Sequence, residues 1–150
     1  FSAATKVGAI ISKKTEKEKE ALEFYGKNLG LTFQIADDAL DYNSISNVFG
    51  KKIGQDFYEG KVTLPIILTF QQANNSEREN IKNIFLKLER TEVDFNYTLE
   101  LISKYKIINQ CYKKAGYFIN LSSNSLSIFN DSEEKRILDN LTTFSLERSF

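Results

Sequence analysis

The segment FQIADDALDY, residues 33–42, sets three carboxylates, Asp37, Asp38 and Asp41, within five positions. On a helix, Asp at i and i+4 project in one direction about one turn apart. Oxygen ligands at that spacing suit a hard divalent cation such as Mg2+, which keeps several waters and shares the phosphate oxygens of a substrate. Without a cation such a cluster is unfavourable, because like charges repel and buried ions lose hydration. Downstream, FGKKIGQDFYEGK (49–61) brings Lys51, Lys52 and Lys61 within reach of the end of the same helix. Lysines beside a metal–carboxylate cluster would donate to diphosphate oxygens that the metal does not hold. Gly50, Gly54 and Gly60 permit the close turns that a loop over phosphate needs. Taken alone, the acids also fit a solvated acidic turn, and the lysines a solvated loop. Together they point to diphosphate binding. An EF-hand does not fit, since its ligand spacing and its glycine are missing.

The elements that would carry these residues read as helices throughout. Residues 1–12 have helical composition, and Thr15 with Glu18 has the spacing of a capping box. A long helix then runs to about residue 43, with Leu22, Tyr25, Leu29, Phe33, Ala36 and Leu40 at helical steps. Gly26, Gly30, Gln34, Asp37 and Asp41 share an adjoining sector of about 80°, with Asp38 just beyond it. Two glycines inside a helix cost about 1 kcal/mol each, a cost tolerated where a ligand or another backbone needs the space. The sector reads as a smooth groove that ends in carboxylates. Residues 43–62 lack a helical stripe and read as a loop. Helices follow from TLPIILTFQQA, with Pro65 in its first turn, and from SERENIKNIFLKLER, with Ser76 and Glu79 as a capping box. Further helices are expected near 95–106, 107–128 and 133–148. Phe85, Tyr105, Tyr112, Tyr117, Phe118 and Cys111 are expected in the core. The fold class is all-α, one helical bundle over residues 1–150.

Composition removes several functions. The 150 residues contain no His, which excludes His-based acid–base chemistry, Ser–His–Asp triads and His-ligated zinc within this chain. A single cysteine, Cys111, cannot form an internal disulfide. Twenty basic residues balance twenty acidic ones, so net charge gives no case for nucleic acid. No apolar run is long enough for a membrane span or a signal peptide, and the cytoplasm is the expected compartment. The chain has no Met and opens on Phe1 in mid-pattern, as a piece of a longer polypeptide would.

YGKNLGLTFQIADDALDY followed by FGKKIGQDFYEGKVTLPII resembles the second aspartate-rich motif, and the segment behind it, of the trans-polyprenyl diphosphate synthases. These enzymes elongate isoprenyl chains head to tail. FSAATKVGAII is similar to the helix before that motif, so the resemblance is strong over residues 1–68. It implies the C-terminal part of an isoprenoid (terpenoid) synthase fold. It implies that Asp37, Asp38 and Asp41 bind Mg2+ bridging to the diphosphate of an allylic prenyl substrate. Gln34 and Phe33 would lie beside the same pocket, and Lys51 and Lys61 would contact the diphosphate. Asp37, Asp38 and Lys51 are the implied catalytic set, and Arg148 resembles a C-terminal basic position. Isopentenyl diphosphate would be the second substrate and a homodimer the assembly.

The departures are specific. Only the second of the family's two aspartate-rich motifs is present, and the isopentenyl diphosphate site is missing. The chain is therefore expected to be the C-terminal half of a longer synthase, inactive alone and partnered by the missing N-terminal half. A non-catalytic, partner-binding subunit of the same fold is the alternative. A terpene cyclase is a third reading, which the EGKVTLP segment opposes.

Overall fold

In the computed structural model, residues 1–43 and 53–147 are described, with side chains as far as Ser145. Eight α-helices account for most of them, and no strand occurs among the described residues. They are α1 (Ser2–Ile11), α2 (Glu16–Leu40), α3 (Gln55–Glu59), α4 (Leu64–Gln72), α5 (Asn75–Leu86), α6 (Glu92–Lys104), α7 (Ile107–Ser125) and α8 (Glu133–Glu147). A 3-10 turn, Leu126–Ile128, ends the run that starts with α7. The chain forms two compact units, Phe1–Ala36 with Lys113–Phe150, and Asp37–Tyr112.

In the first unit, Tyr25 is fully buried and packs with Leu29 and Leu126. Its hydroxyl donates to the Leu138 carbonyl at 2.6 Å, and Ser122 Oγ donates to the Tyr25 carbonyl at 2.9 Å. Burial, with Asp139 nearby, pushes the phenol up to about 12, so it stays a donor. Thr15 and Glu18 form the expected capping box: the Thr15 N–H donates to Glu18 Oε2 at 2.8 Å and the Glu18 N–H to Thr15 Oγ1 at 3.4 Å.

The glycine sector of α2 is not an open groove. A Cβ at Gly26 would lie 2.2 Å from Thr5 Oγ1 and 2.8 Å from the Phe1 carbonyl oxygen. At Gly30 it would lie 3.2 Å from Phe1 Cβ. Another backbone, the start of α1, takes the space, and Thr5 Oγ1 donates to the Leu22 carbonyl at 2.6 Å across the crossing. Helices cross this closely only where one side chain is a hydrogen.

In the second unit, an aromatic cluster surrounds the fully buried Phe57, with Phe95, Tyr58 and Phe85 rings 5.2–5.6 Å from it. Phe57 belongs to α3, which lies inside the stretch expected to be loop. Two left-handed glycines bracket this five-residue helix, Gly54 (φ 82°) and Gly60 (φ 79°). Each also lies against a side chain: a Cβ at Gly54 would meet the Phe95 ring at 2.7 Å, and one at Gly60 would meet Arg90 Nη2 at 2.4 Å. Both glycines therefore serve backbone geometry and packing. Gly50 lies outside the described residues.

The second capping box sits two residues earlier than expected, at Asn74 and Glu77. The α6 helix begins earlier too, behind a box formed by Thr91 and Asp94. Of the aromatic residues expected in the core, Phe85, Tyr105, Tyr112 and Phe118 are half-buried, but Tyr117 is 60% exposed. Cys111 is fully buried, as expected.

Glu77 also explains the position of its box. Its carboxylate accepts from Lys104 Nζ at 2.6 Å, the Tyr105 hydroxyl at 2.6 Å and the Asn74 N–H at 2.9 Å. These donors, Lys104 first, hold its pKa down to about 2, from an ordinary value of 4.5. A depressed folded-state pKa gives stabilisation that is full above the unfolded value and lost as pH falls through the folded one. The midpoint of thermal unfolding is expected to fall between pH 4.5 and pH 2, and Glu77→Gln is expected to flatten that fall in a melting series.

Candidate functional site

The three acids close a 25-residue helix that has no basic residue in its last turn. Helix C-termini carry a partial negative charge from unpaired carbonyls, so carboxylates there meet a field of their own sign. Ordinary surface helices place cations at this end. Asp38 is 7% exposed and Asp41 2%, while Asp37 is half-buried. The turn thus concentrates negative charge where desolvation and the helix field both raise its energy, which is the condition a cation relieves.

Asp41 has a structural task that its spacing did not reveal. Its Oδ2 accepts from the Asp56 N–H at 2.8 Å, and its carbonyl accepts from the Gly54 N–H at 2.9 Å. The acid turn therefore holds the start of α3. Asp56 in turn accepts from Lys61 Nζ at 2.9 Å, and its carbonyl accepts from the Lys61 N–H at 2.9 Å. Lys61 Nζ also pairs with Glu59 at 2.7 Å. Those two carboxylates, Glu59 first, raise the Lys61 pKa, and the ammonium remains charged at neutral pH. A relay of backbone and side-chain bonds thus runs from Asp41 through Asp56 to Lys61. Lys61 is 56% exposed on its side chain, so its surface pairs with Asp56 and Glu59 are weak ties that a stronger anion can replace.

Phe33 and Gln34 lie one turn earlier on α2, in the first unit. Phe33 is half-buried with its ring 5.4 Å from that of Phe1, and Gln34 is exposed. Lys51 and Lys52, and Arg148 near the other end of the chain, fall outside the described residues. Sequence reasoning missed Asp56 and Glu59, although their spacing before Lys61 was in view. It also missed Tyr42, whose buried hydroxyl has a pKa raised first by desolvation and then by Asp41, Asp56 and Asp38.

Among the described residues, no group of three or more His, Cys, Asp or Glu side chains converges as a metal cage. Mg2+ does not require one: it is held by one or two carboxylates, waters and substrate phosphates. Carboxylates on a helix end of matching negative field, with a lysine linked through α3, fit that mode of binding. The donors are all oxygen, as a hard cation prefers.

The profile of the Polyprenyl synthetase family matches residues 1–102. An octaprenyl diphosphate synthase from Haemophilus influenzae is 29% identical over 150 residues, covering 100% of this chain and 45% of the relative. A short chain isoprenyl diphosphate synthase from Methanothermobacter thermautotrophicus is 32% identical over 148 residues, covering 99% and 45%. Among solved structures, a decaprenyl diphosphate synthase from Rhodobacter capsulatus superposes with a TM-score of 0.91 at 34% identity, covering 100% of this chain and 46% of that one. A polyprenyl synthase from Caulobacter crescentus, complexed with calcium and isoprenyl diphosphate, gives 0.89 at 35% identity, covering 100% and 46%. The chain spans about half the length of the curated relatives it matches.

Proposed function

Because the chain belongs to the polyprenyl synthetase family and has its all-α fold, we propose that the whole protein is a trans-prenyltransferase that condenses isopentenyl diphosphate with an allylic prenyl diphosphate. The observation that carries this reading is the α2 terminus, where three carboxylates gather at the C-terminal end of the helix and Asp41 is tied through Asp56 to Lys61. Asp37, Asp38 and Asp41 are the residues that would hold Mg2+, and an allylic diphosphate would complete its ligands. Lys61 leaves Asp56 and Glu59 to donate to diphosphate oxygens, and Lys51 is assigned the same task. Phe33 and Gln34 are assigned as substrate contacts. Bound Mg2+ would supply Lewis-acid stabilisation of the departing diphosphate. The allylic C–O bond breaks with its electron pair leaving on the diphosphate. The isopentenyl double bond forms the new C–C bond to the allylic carbon, and a proton is lost. Lysine donors fixed where negative charge develops lower that barrier without reorganising during reaction.

This chain alone carries one acid motif and about half the relatives' length, which supports the reading that it does not turn over by itself and needs the rest of the polypeptide. A homodimer in the cytoplasm is part of the proposal. The family resemblance supports the dimer, and no helix among the described residues is long and apolar enough to cross a membrane. Incubating the full-length protein with isopentenyl diphosphate, an allylic diphosphate and Mg2+ tests the activity by chromatography of the products. Longer prenyl diphosphates are expected. Their complete absence would favour the non-catalytic subunit instead.

A further inference from the structure

One guanidinium, that of Arg90, closes the ends of two helices in the second unit. Its Nη1 donates to the Tyr58 carbonyl at 3.1 Å and its Nη2 to the Phe85 carbonyl at 3.2 Å. Tyr58 lies in the last turn of α3 and Phe85 in the last turn of α5, where carbonyls have no partner within their own helix. The N–H groups of Gly60 and Lys61 reach the Phe57 and Asp56 carbonyls, and Arg90 takes that of Tyr58. An arginine side chain caps such carbonyls, and its rigid fork fixes two acceptors relative to each other. The guanidinium also stacks on the Phe85 ring, with Cζ 5.4 Å from the centroid. It crosses directly over Gly60, where a Cβ would lie 2.4 Å from Nη2. The next residue is Lys61.

Among the described residues, Lys61 is tied to α3 alone. Its N–H donates to the Asp56 carbonyl and its Nζ to Asp56 Oδ1, both at 2.9 Å, and Nζ pairs with Glu59 Oε2 at 2.7 Å. Asp56 and Glu59 both belong to α3. The place of the ammonium relative to the acid turn is therefore set by how this five-residue helix is held. Asp41 holds its start, through the Asp56 and Gly54 N–H groups, and Phe57 holds its buried face. Arg90 holds its end.

We propose that Arg90 is a positioning residue for Lys61: by capping α3 and α5 with one guanidinium, it fixes the turn from which Lys61 reaches a diphosphate. This role rests on the reading that Lys61 is a diphosphate donor. A donor set in advance loses less on binding than one that must be ordered, and small misplacements are costly.

The test uses full-length protein carrying Arg90→Lys, Arg90→Gln, Lys61→Met, or Arg90→Lys with Lys61→Met. Each is titrated calorimetrically with inorganic pyrophosphate in Mg2+, after urea unfolding shows which variants are folded at the titration temperature. Arg90→Lys keeps the charge but loses the fork that spans two carbonyls. It should weaken pyrophosphate binding about tenfold, the worth of one well-placed hydrogen bond to a charged group. Arg90→Gln should weaken it at least as much. The double variant should bind no more weakly than Lys61→Met, because Arg90 acts through Lys61. Parent-like binding in Arg90→Lys and Arg90→Gln overturns the positioning role and leaves the diphosphate site standing. A double variant weakened by the full product of the two single losses also overturns it, since Arg90 would then act independently of Lys61. Unfolding of both Arg90 variants at the titration temperature overturns it too, since the guanidinium would then hold the unit together rather than place one side chain. If the parent itself fails to bind pyrophosphate in Mg2+, or Lys61→Met binds as the parent does, the reading of Lys61 as a diphosphate donor falls and this inference with it.

Discussion

Asp37→Asn in the full-length protein is expected to lower kcat/KM for the allylic substrate by about 10³-fold, roughly 4 kcal/mol of transition-state stabilisation. The substitution keeps the shape of the side chain and removes its charge. A neutral amide neither matches a hard cation nor balances the charge of a metal–diphosphate pair. Steady-state kinetics of the variant beside the parent measures the loss, and a parent-like kcat/KM would remove Asp37 from the metal–diphosphate role.

Gly54→Ala is expected to destabilise the protein by about 2–4 kcal/mol, adding a left-handed backbone penalty to overpacking of a filled core. The methyl would enter the Phe95 ring at 2.7 Å. That ring cannot swing aside, because Phe57, Tyr58 and Tyr42 surround it at 5.2–6.3 Å. The Gly54 N–H also donates to the Asp41 carbonyl, so any shift at Gly54 displaces the acid turn and activity falls too. Urea unfolding measures the loss. Gly8→Ala is the control: it lies in α1 with nothing within 4 Å of the added carbon, and should stabilise by about 0.5–1 kcal/mol.

Helix periodicity made most of the fold legible, because long amphipathic stretches such as α2 and α7 announce themselves in the spacing of apolar residues. What it concealed was short or tertiary. The five residues of α3 span too little for a period to show, and their flanking glycines look like loop. NNSERE contains two overlapping capping-box patterns, and the choice between them falls to Lys104 and Tyr105, which reach Glu77 from 27 and 28 residues away. Gly26 and Gly30 marked a close approach correctly in kind, but the occupant proved to be α1 rather than a ligand. At the site, the acids were plain from residue type, since three carboxylates at a helix end demand a counter-charge. The partners of Asp41 were not, because they are backbone N–H groups 13 and 15 residues on, and a backbone donor has no sequence signature. The burial of Tyr42 was hidden for a related reason, as only packing shows which polar groups lose their water.

Calorimetric titration of the full-length protein with an allylic prenyl diphosphate, with Mg2+ and then with chelator, bears most directly on the role of the α2 acids. Binding that requires Mg2+ and disappears in Asp37→Asn is the expected result. Binding of equal strength under chelation, or undiminished in Asp37→Asn, would contradict it and return the acid turn to the purely structural task of holding α3.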